Sequence, residues 1–245
     1  MKTVLITGAN KSIGFETARI LAKQGYFVYL GSRDLERGAA AVAKLNADGL
    51  TQIQAIQIDV CDKASIKAAA ETISAKSGSL DVLINNAGIP GTFPQTPSTI
   101  PTEEIREVFN TNFFGVIDVT TTFIELLKKS ATPVIVNVTS GLGSLTLHSD
   151  PSWKYYAVKS ASYGPSKTAL NAYTVALAHE LRDTAFRVNV IDPGYTATDF
   201  NRHSGPGSVE DAAAFVASYA VIGTDGPTGK FFSLDSYEKC HGMPW

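Results

Sequence analysis

The chain has 245 residues, 44% of them hydrophobic and 18% charged, with a formal net charge of −2 and a pI near 6.1. That length and composition suit one α/β domain over residues 1–245 with a large core, and the mild acidity excludes the basic footprint of a nucleic-acid binder. Two cysteines, Cys61 and Cys240, lack metal-ligand spacing and exclude a disulfide framework, which fits a reducing compartment.

Short β-branched runs at 3–7, 27–31, 52–59, 81–85, 133–138 and 187–192 read as strands. Their nearly continuous hydrophobicity marks strands covered on both faces, as in a parallel sheet. Between them, 13–24, 35–46, 64–76, 102–129 and 166–182 read as helices, followed by a helix at 209–219 and a strand at 230–234. This alternation predicts a Rossmann-type doubly wound parallel sheet of about seven strands, helices on both faces. The irregular stretches 89–101, 141–161 and 195–207 follow strand ends, where such folds bind ligands. No window approaches the roughly 18 apolar residues of a membrane helix. The run from Val4 to Ile6, broken at Thr7-Gly8, is too short for a signal peptide. The expectation is a cytoplasmic protein with no membrane or nucleic-acid partner.

Thr7-Gly8-Ala9-Asn10-Lys11-Ser12-Ile13-Gly14 follows the first strand and opens the first helix. A dinucleotide pyrophosphate needs that context, with close backbone approach at glycines and a helix N-terminus facing it. At the second strand end, Arg33 offers a planar fork and Lys11 a point charge, both suited to a 2′-phosphate. An acid there would instead hold a ribose 2′-hydroxyl, and Asp34 comes one residue late. The cofactor expected is NADP(H).

Tyr163 and Lys167 stand four apart at a helix start, on one face, with Ser140 at the end of an upstream strand. A neighbouring ammonium favours phenolate, so Lys167 is expected to lower the Tyr163 pKa and suit it to proton transfer. Tyr155 and Lys159 repeat the spacing. From Tyr163 to Pro193 there is room for one helix, one turn and one strand, whereas a start at Tyr155 leaves residues over. It would also put Pro165 inside the helix rather than at its beginning. Tyr163 is therefore preferred.

These motifs in this order, with Asn85-Asn86-Ala87-Gly88 and Pro193-Gly194 between and after them, resemble the short-chain dehydrogenase/reductase family. The segments Gly31-Ser32-Arg33-Asp34, Thr111-Asn112-Phe113-Phe114-Gly115 and Gly229-Lys230-Phe231-Phe232 are similar to NADPH-dependent carbonyl reductases. The resemblance implies reduction of a ketone or aldehyde, with the pro-S hydride from the nicotinamide and a proton from Tyr163. Ser140 would polarise the substrate oxygen, and Asn112 would fix a water that passes protons to Lys167. It assigns the cofactor to Gly8, Asn10, Lys11, Ser12, Ile13, Gly14 and Arg33, and the adenine edge to Asp59 and Val60. Asn86, Ala87 and Gly88 would run past the ribose, Tyr163 and Lys167 would touch its nicotinamide end, and Pro193, Gly194, Thr196 and Thr198 would grip the carboxamide.

Ser12 stands where the family usually has a glycine; as an N-cap its hydroxyl would face phosphate or ribose. Separation of Ser140 from Tyr163 exceeds the family's usual spacing, through an insertion containing Trp153, Tyr155 and Tyr156. These aromatics form a substrate wall or merely pack their loop. A short lid after Asp199 suggests an open pocket for a small-molecule carbonyl substrate. His148, His179, His203 and His241 are scattered, so no metal is expected, and Phe231, Phe232 and Trp245 are read as packing. Alternatives are a reductase for a dedicated substrate (a 3-oxoacyl thioester, steroid or sugar) or a non-catalytic NADP sensor. A homodimer is favoured over a monomer by resemblance to relatives that pair their fourth and fifth helices.

Overall fold

Alternating strand residues point to opposite sheet faces, and here both faces are apolar. In the computed structural model, which describes residues 1–235 and 242–245, the strands β1 (Thr3–Ile6), β2 (Phe27–Ser32), β3 (Ile53–Gln57), β4 (Val82–Asn85), β5 (Val134–Val138), β6 (Arg187–Asp192) and β7 (Phe231–Ser233) form one sheet. Its order is β3-β2-β1-β4-β5-β6-β7, and every pairing is parallel. Cys240 and His241 lie outside the described residues.

Leu5, Tyr29, Leu83, Ile135 and Val188 face one layer of core with Phe123, Leu126 and Leu177. Those three belong to α5 (Gly115–Leu127) and α7 (Tyr163–Glu180), and α3 (Lys63–Ser77) joins the layer through Ile66 and Ile73. Val4, Ile6, Val28, Leu30, Ile84 and Val136 face the other. There they meet α1 (Ser12–Lys23), α2 (Leu35–Ala47) and α8 (Val209–Ala220) through Leu21, Leu45 and Val216. The chain is thus a Rossmann-type fold, as the alternation of elements predicts.

Two local readings change. The stretch 102–129 is not one α-helix: α4 (Thr102–Phe109) passes through a π-helical turn, Asn110–Phe114, into α5. Inserted π turns are frequent at functional sites, and this one carries Asn112. The insertion adds a short helix α6 (Leu145–His148), laced to the chain end by Ser144 Oγ to Pro244 O (2.7 Å) and Thr146 N to Trp245 O (3.0 Å). Phe231 packs against Trp245 at 5.6 Å and Phe232 stacks on Tyr219 at 4.5 Å, so these aromatics are structural.

A buried polar relay crosses beneath the site. Asn85 Nδ2 donates to Thr120 Oγ1 (3.0 Å) and Asn137 Oδ1 (2.8 Å), while Asn137 Nδ2 donates to Thr174 Oγ1 (2.9 Å). It ties β4 and β5 to α5 and α7, and its members tolerate burial because they are paired. Asn137→Leu keeps the branched shape but removes the acceptor of one Asn85 N–H, and should cost about 2 kcal/mol of unfolding free energy in a urea titration.

Candidate active site

Adjacent strands β1 and β4 leave the sheet in opposite directions of winding, which opens the crevice where such folds bind dinucleotides. Its floor is the glycine turn. Gly8 has φ +63, and a Cβ there would come within 2.9 Å of Ala87 Cα. At Gly14 a Cβ would meet Asn86 Nδ2 at 2.5 Å. Asn86 clamps the turn, donating from Nδ2 to Thr7 O (2.9 Å) and Gly8 O (3.0 Å). Thr7 Oγ1 in return accepts the Asn86 and Ala87 N–H groups at 3.0 Å each. The side chain expected to pass along the ribose therefore holds the glycine turn in shape.

Ser12 is not a helix cap. The N-cap of α1 is Lys11, with no side-chain cap bond, and Ser12 itself has φ +52. That left-handed conformation disfavours any Cβ and explains why a glycine is usual here. Asn10 and Ile13 are half-buried along the same turn, and Lys11 projects to solvent. Its Nζ pairs with Asp199 Oδ2 at 3.0 Å, and His203 Nε2 lies 2.8 Å from Asp199 Oδ1, so the turn and the lid touch.

At the adenosine end, Arg33 is exposed, and Asp34 is engaged as the N-cap of α2, accepting from Arg37 N at 3.0 Å. Its carboxylate also pairs with Arg37 Nε at 3.3 Å. Asp59 Oδ1 accepts the Cys61 N–H (2.9 Å), and the Val60 carbonyl lies 2.8 Å from where a Cβ on Gly115 would stand. A groove of about 590 Å³ runs from Arg33 and Asp59 along β3 to Thr72; it excludes Ser140 and Tyr163 and lies away from the chemistry.

The reacting groups converge from β5 and α7. Ser140, following β5, accepts the Leu142 N–H at 3.2 Å and lies near enough to the Tyr163 phenol to favour its ionised form. Tyr163 opens α7, with Pro165 in the first turn, where its missing N–H costs nothing. Gln95, unnoticed in the sequence, fixes that helix start: its Oε1 accepts from Ser162 N (3.2 Å) and Tyr163 N (3.1 Å) while Nε2 donates to Pro90 O (2.7 Å). Lys167, buried, donates to Val138 O at 2.8 Å, with Nζ 5.9 Å from the Tyr163 ring centre. Gly88 borders this ammonium: a Cβ there would stand 3.8 Å from Nζ.

The electrostatics differ from the expectation that Lys167 depresses Tyr163. By accessible surface Tyr163 is half-buried, yet protein crowds its hydroxyl, and that burial pushes the phenol up, helped by Asp192 and opposed by Ser140. Burial lowers Lys167 to about 8, against the pull of Asp192. The ammonium is thus itself a weak acid near working pH.

Asn112 has its side chain committed: Oδ1 accepts from Ile89 N (2.8 Å), and Nδ2 donates to Ile89 O (2.9 Å) and Ser166 Oγ (3.1 Å). It pins the loop after β4 to α7. Past Pro193, Gly194 has φ +75, and a Cβ there would meet Asp235 Oδ1 at 2.8 Å. Thr196 and Thr198 are buried; the first donates to Pro193 O (3.0 Å) and the second caps the turn Asp199–Asn201. The lid is short but not open, because Phe200 lies over Tyr163 with ring centres 5.4 Å apart. Sequence reading had no signal for that contact.

Tyr155 has another task. It donates to Asp235 Oδ2 at 2.8 Å, while Lys159 contacts His148 Nδ1 (3.0 Å) and His148 O (2.8 Å). Trp153 bridges His148 and Tyr155 edge-on at 5.1 and 5.5 Å, so the inserted aromatics pack their loop and dock it on the end of β7. Among the described residues no group of three or more His, Cys, Asp or Glu could hold a metal, and no helix is long and apolar enough to cross a membrane.

A parallel doubly wound sheet with a glycine turn at its switch point and a Ser-Tyr-Lys cluster opposite defines a nicotinamide-dependent oxidoreductase. The short chain dehydrogenase family model matches residues 2–208, and the chain belongs to that family. A short-chain dehydrogenase of Penicillium roqueforti is 38% identical, covering 90% of this chain and 89% of its own length. The (+)-neomenthol dehydrogenase of Arabidopsis thaliana is 33% identical, covering 94% and 95%. The NADPH-bound carbonyl reductase from chicken fatty liver superposes with a TM-score of 0.85 at 25% identity over 100% of this chain and 99% of that one. The protein is an oxidoreductase acting on CH–OH/C=O groups, with a small carbonyl compound as substrate.

Relief of the left-handed serine is testable: Ser12→Gly should raise stability by up to about 1 kcal/mol in thermal unfolding. A fall in the midpoint would show that the serine side chain contributes bonds that outweigh its backbone cost.

Proposed function

We propose that the chain reduces ketones and aldehydes to alcohols with NADPH, Tyr163 giving the proton. The observation that carries this reading is the Ser140–Tyr163 hydroxyl pair beside a buried Lys167, next to the glycine turn. Gly8 and Gly14 leave the room a pyrophosphate needs, and Arg33 with Lys11 supply cations for a 2′-phosphate while Asp34 is spent on α2. The bound nicotinamide would supply hydride to the carbonyl carbon. Ser140 would donate to the substrate oxygen and orient it, and the Tyr163 phenol would transfer its proton there as the C=O becomes CH–OH. Lys167, lowered to about 8, would then return a proton to the phenolate. General acid catalysis of this kind is worth about 10² to 10⁴ in rate.

Phe200 and the half-exposed Tyr195 favour an apolar substrate, in keeping with a relative named for neomenthol. A cytoplasmic location and a homodimer complete the proposal, the latter testable by light scattering.

Loss of NADPH absorbance against ketones graded in size tests the reading; binding of NADPH without oxidation by any carbonyl would favour a sensor. Tyr163→Phe should remove nearly all turnover and leave NADPH binding intact, whereas strong residual activity would move the donor role elsewhere. Arg33→Ala should raise KM for NADPH about tenfold or more and leave KM for NADH nearly unchanged, as expected for losing a charge-assisted contact to the 2′-phosphate.

A further inference from the structure

Among the described residues, Lys167 and Asp192 are the only charged side chains in the interior, each 5% exposed. They carry opposite signs, and both sit at the reacting centre. Burying a charge is costly unless something of opposite sign or a set of hydrogen bonds compensates it. Asp192 ends β6, whose Ile191 is in register with Val138 of β5, and Val138 O is the acceptor that holds Lys167 Nζ at 2.8 Å. The carboxylate reaches under the residue that follows Ser140: a Cβ on Gly141 would stand 3.2 Å from Asp192 Oδ2.

Its hydrogen bonds are all received. Ser233 Oγ donates to Oδ2 at 2.6 Å and Gly194 N donates to Oδ1 at 3.0 Å, while the nearby Gly141 N–H also favours the charged form. The titratable groups that face it are Lys167 and Tyr163 from α7, Tyr155 from the insertion and Asp235 after β7. No ion pair joins it to Lys167 or to any other described cation, so its charge acts through space.

We propose that Asp192 is a positioning residue of the reacting centre, its buried negative charge keeping Lys167 an ammonium and Tyr163 a protonated phenol, and so biasing the site toward giving a proton. The inference rests on the reductase reading above. Burial raises the Asp192 pKa to about 6, opposed by the Ser233 and backbone donors, so the charge is present at neutral pH and is lost below about 6. The sign follows directly. A nearby anion disfavours loss of a proton from either neighbour, so removing it moves both ionisations to lower pH.

Asp192→Asn preserves the shape and the acceptor for Gly194 N while deleting the charge. In ketone reduction the alkaline limb, where the donor proton is lost, should move down by about one pH unit, and alcohol oxidation should gain at neutral pH. A readout independent of turnover is the Lys167 ammonium titration, followed by NMR of protein labelled at lysine Cε, its signal identified by its absence in Lys167→Met. That titration should also move to lower pH in Asp192→Asn. An unmoved alkaline limb or an unmoved Lys167 titration, in a variant with a native melting transition, overturns the proposal. If Asp192→Asn does not fold, Ser233→Ala keeps the carboxylate but removes a donor. The pH at which reduction responds to Asp192 should then rise, and an unchanged profile is equally fatal. Failure of the unsubstituted protein to turn over any carbonyl removes the reductase reading and, with it, this inference.

Discussion

The contact on which the site depends is the clamp between the glycine turn after β1 and the loop after β4. Thr7 and Asn86 exchange bonds in both directions, from side chain to backbone each way. This fixes the crevice at the point where the strand order reverses. Gly8 and Gly14 are small for the clamp as much as for a phosphate, since a Cβ at either would strike Ala87 or Asn86. A turn clamped this way is held in shape from both sides, which would lower the ordering cost of binding a ligand there.

A second layer of polar groups transmits that rigidity to the reacting centre. Asn112 pins the loop after β4 to Ser166, Gln95 pins the first amides of α7, and the Asn85–Asn137–Thr174 relay ties the sheet to the same helix. All are buried amides or hydroxyls with partners, so each acts as a geometric constraint rather than a spare ligand. The electrostatic balance above them has a buried ammonium, a buried carboxylate and a crowded phenol within one enclosure.

Much of this was legible in the sequence. Periodicity located the strands because most are apolar on both faces, and Pro165 marked the beginning of α7, which starts at Tyr163, three residues before the expected 166, with the proline in its first turn. The preference for Tyr163 over Tyr155 rested on the chain length to Pro193 and on the position of Pro165, and the structure puts Tyr155 on Asp235. The π turn at Asn112 was not legible, because its residues have the same apolar period as the α-helices on either side. Ser12 was misread as a cap, since its residue type suits one while its φ of +52 is imposed by the turn.

The sequence by itself determined the sheet, the turn, the order of the motifs and the residue types of the reacting cluster, because these depend on local pattern and spacing. Only the tertiary structure decided what the groups do to one another. The rise at Tyr163, the fall at Lys167, the cover of Phe200 and the presence of Asp192 all arise between residues far apart in the chain. Burial and through-space charge depend on distance in three dimensions, and spacing along the chain carries no record of it.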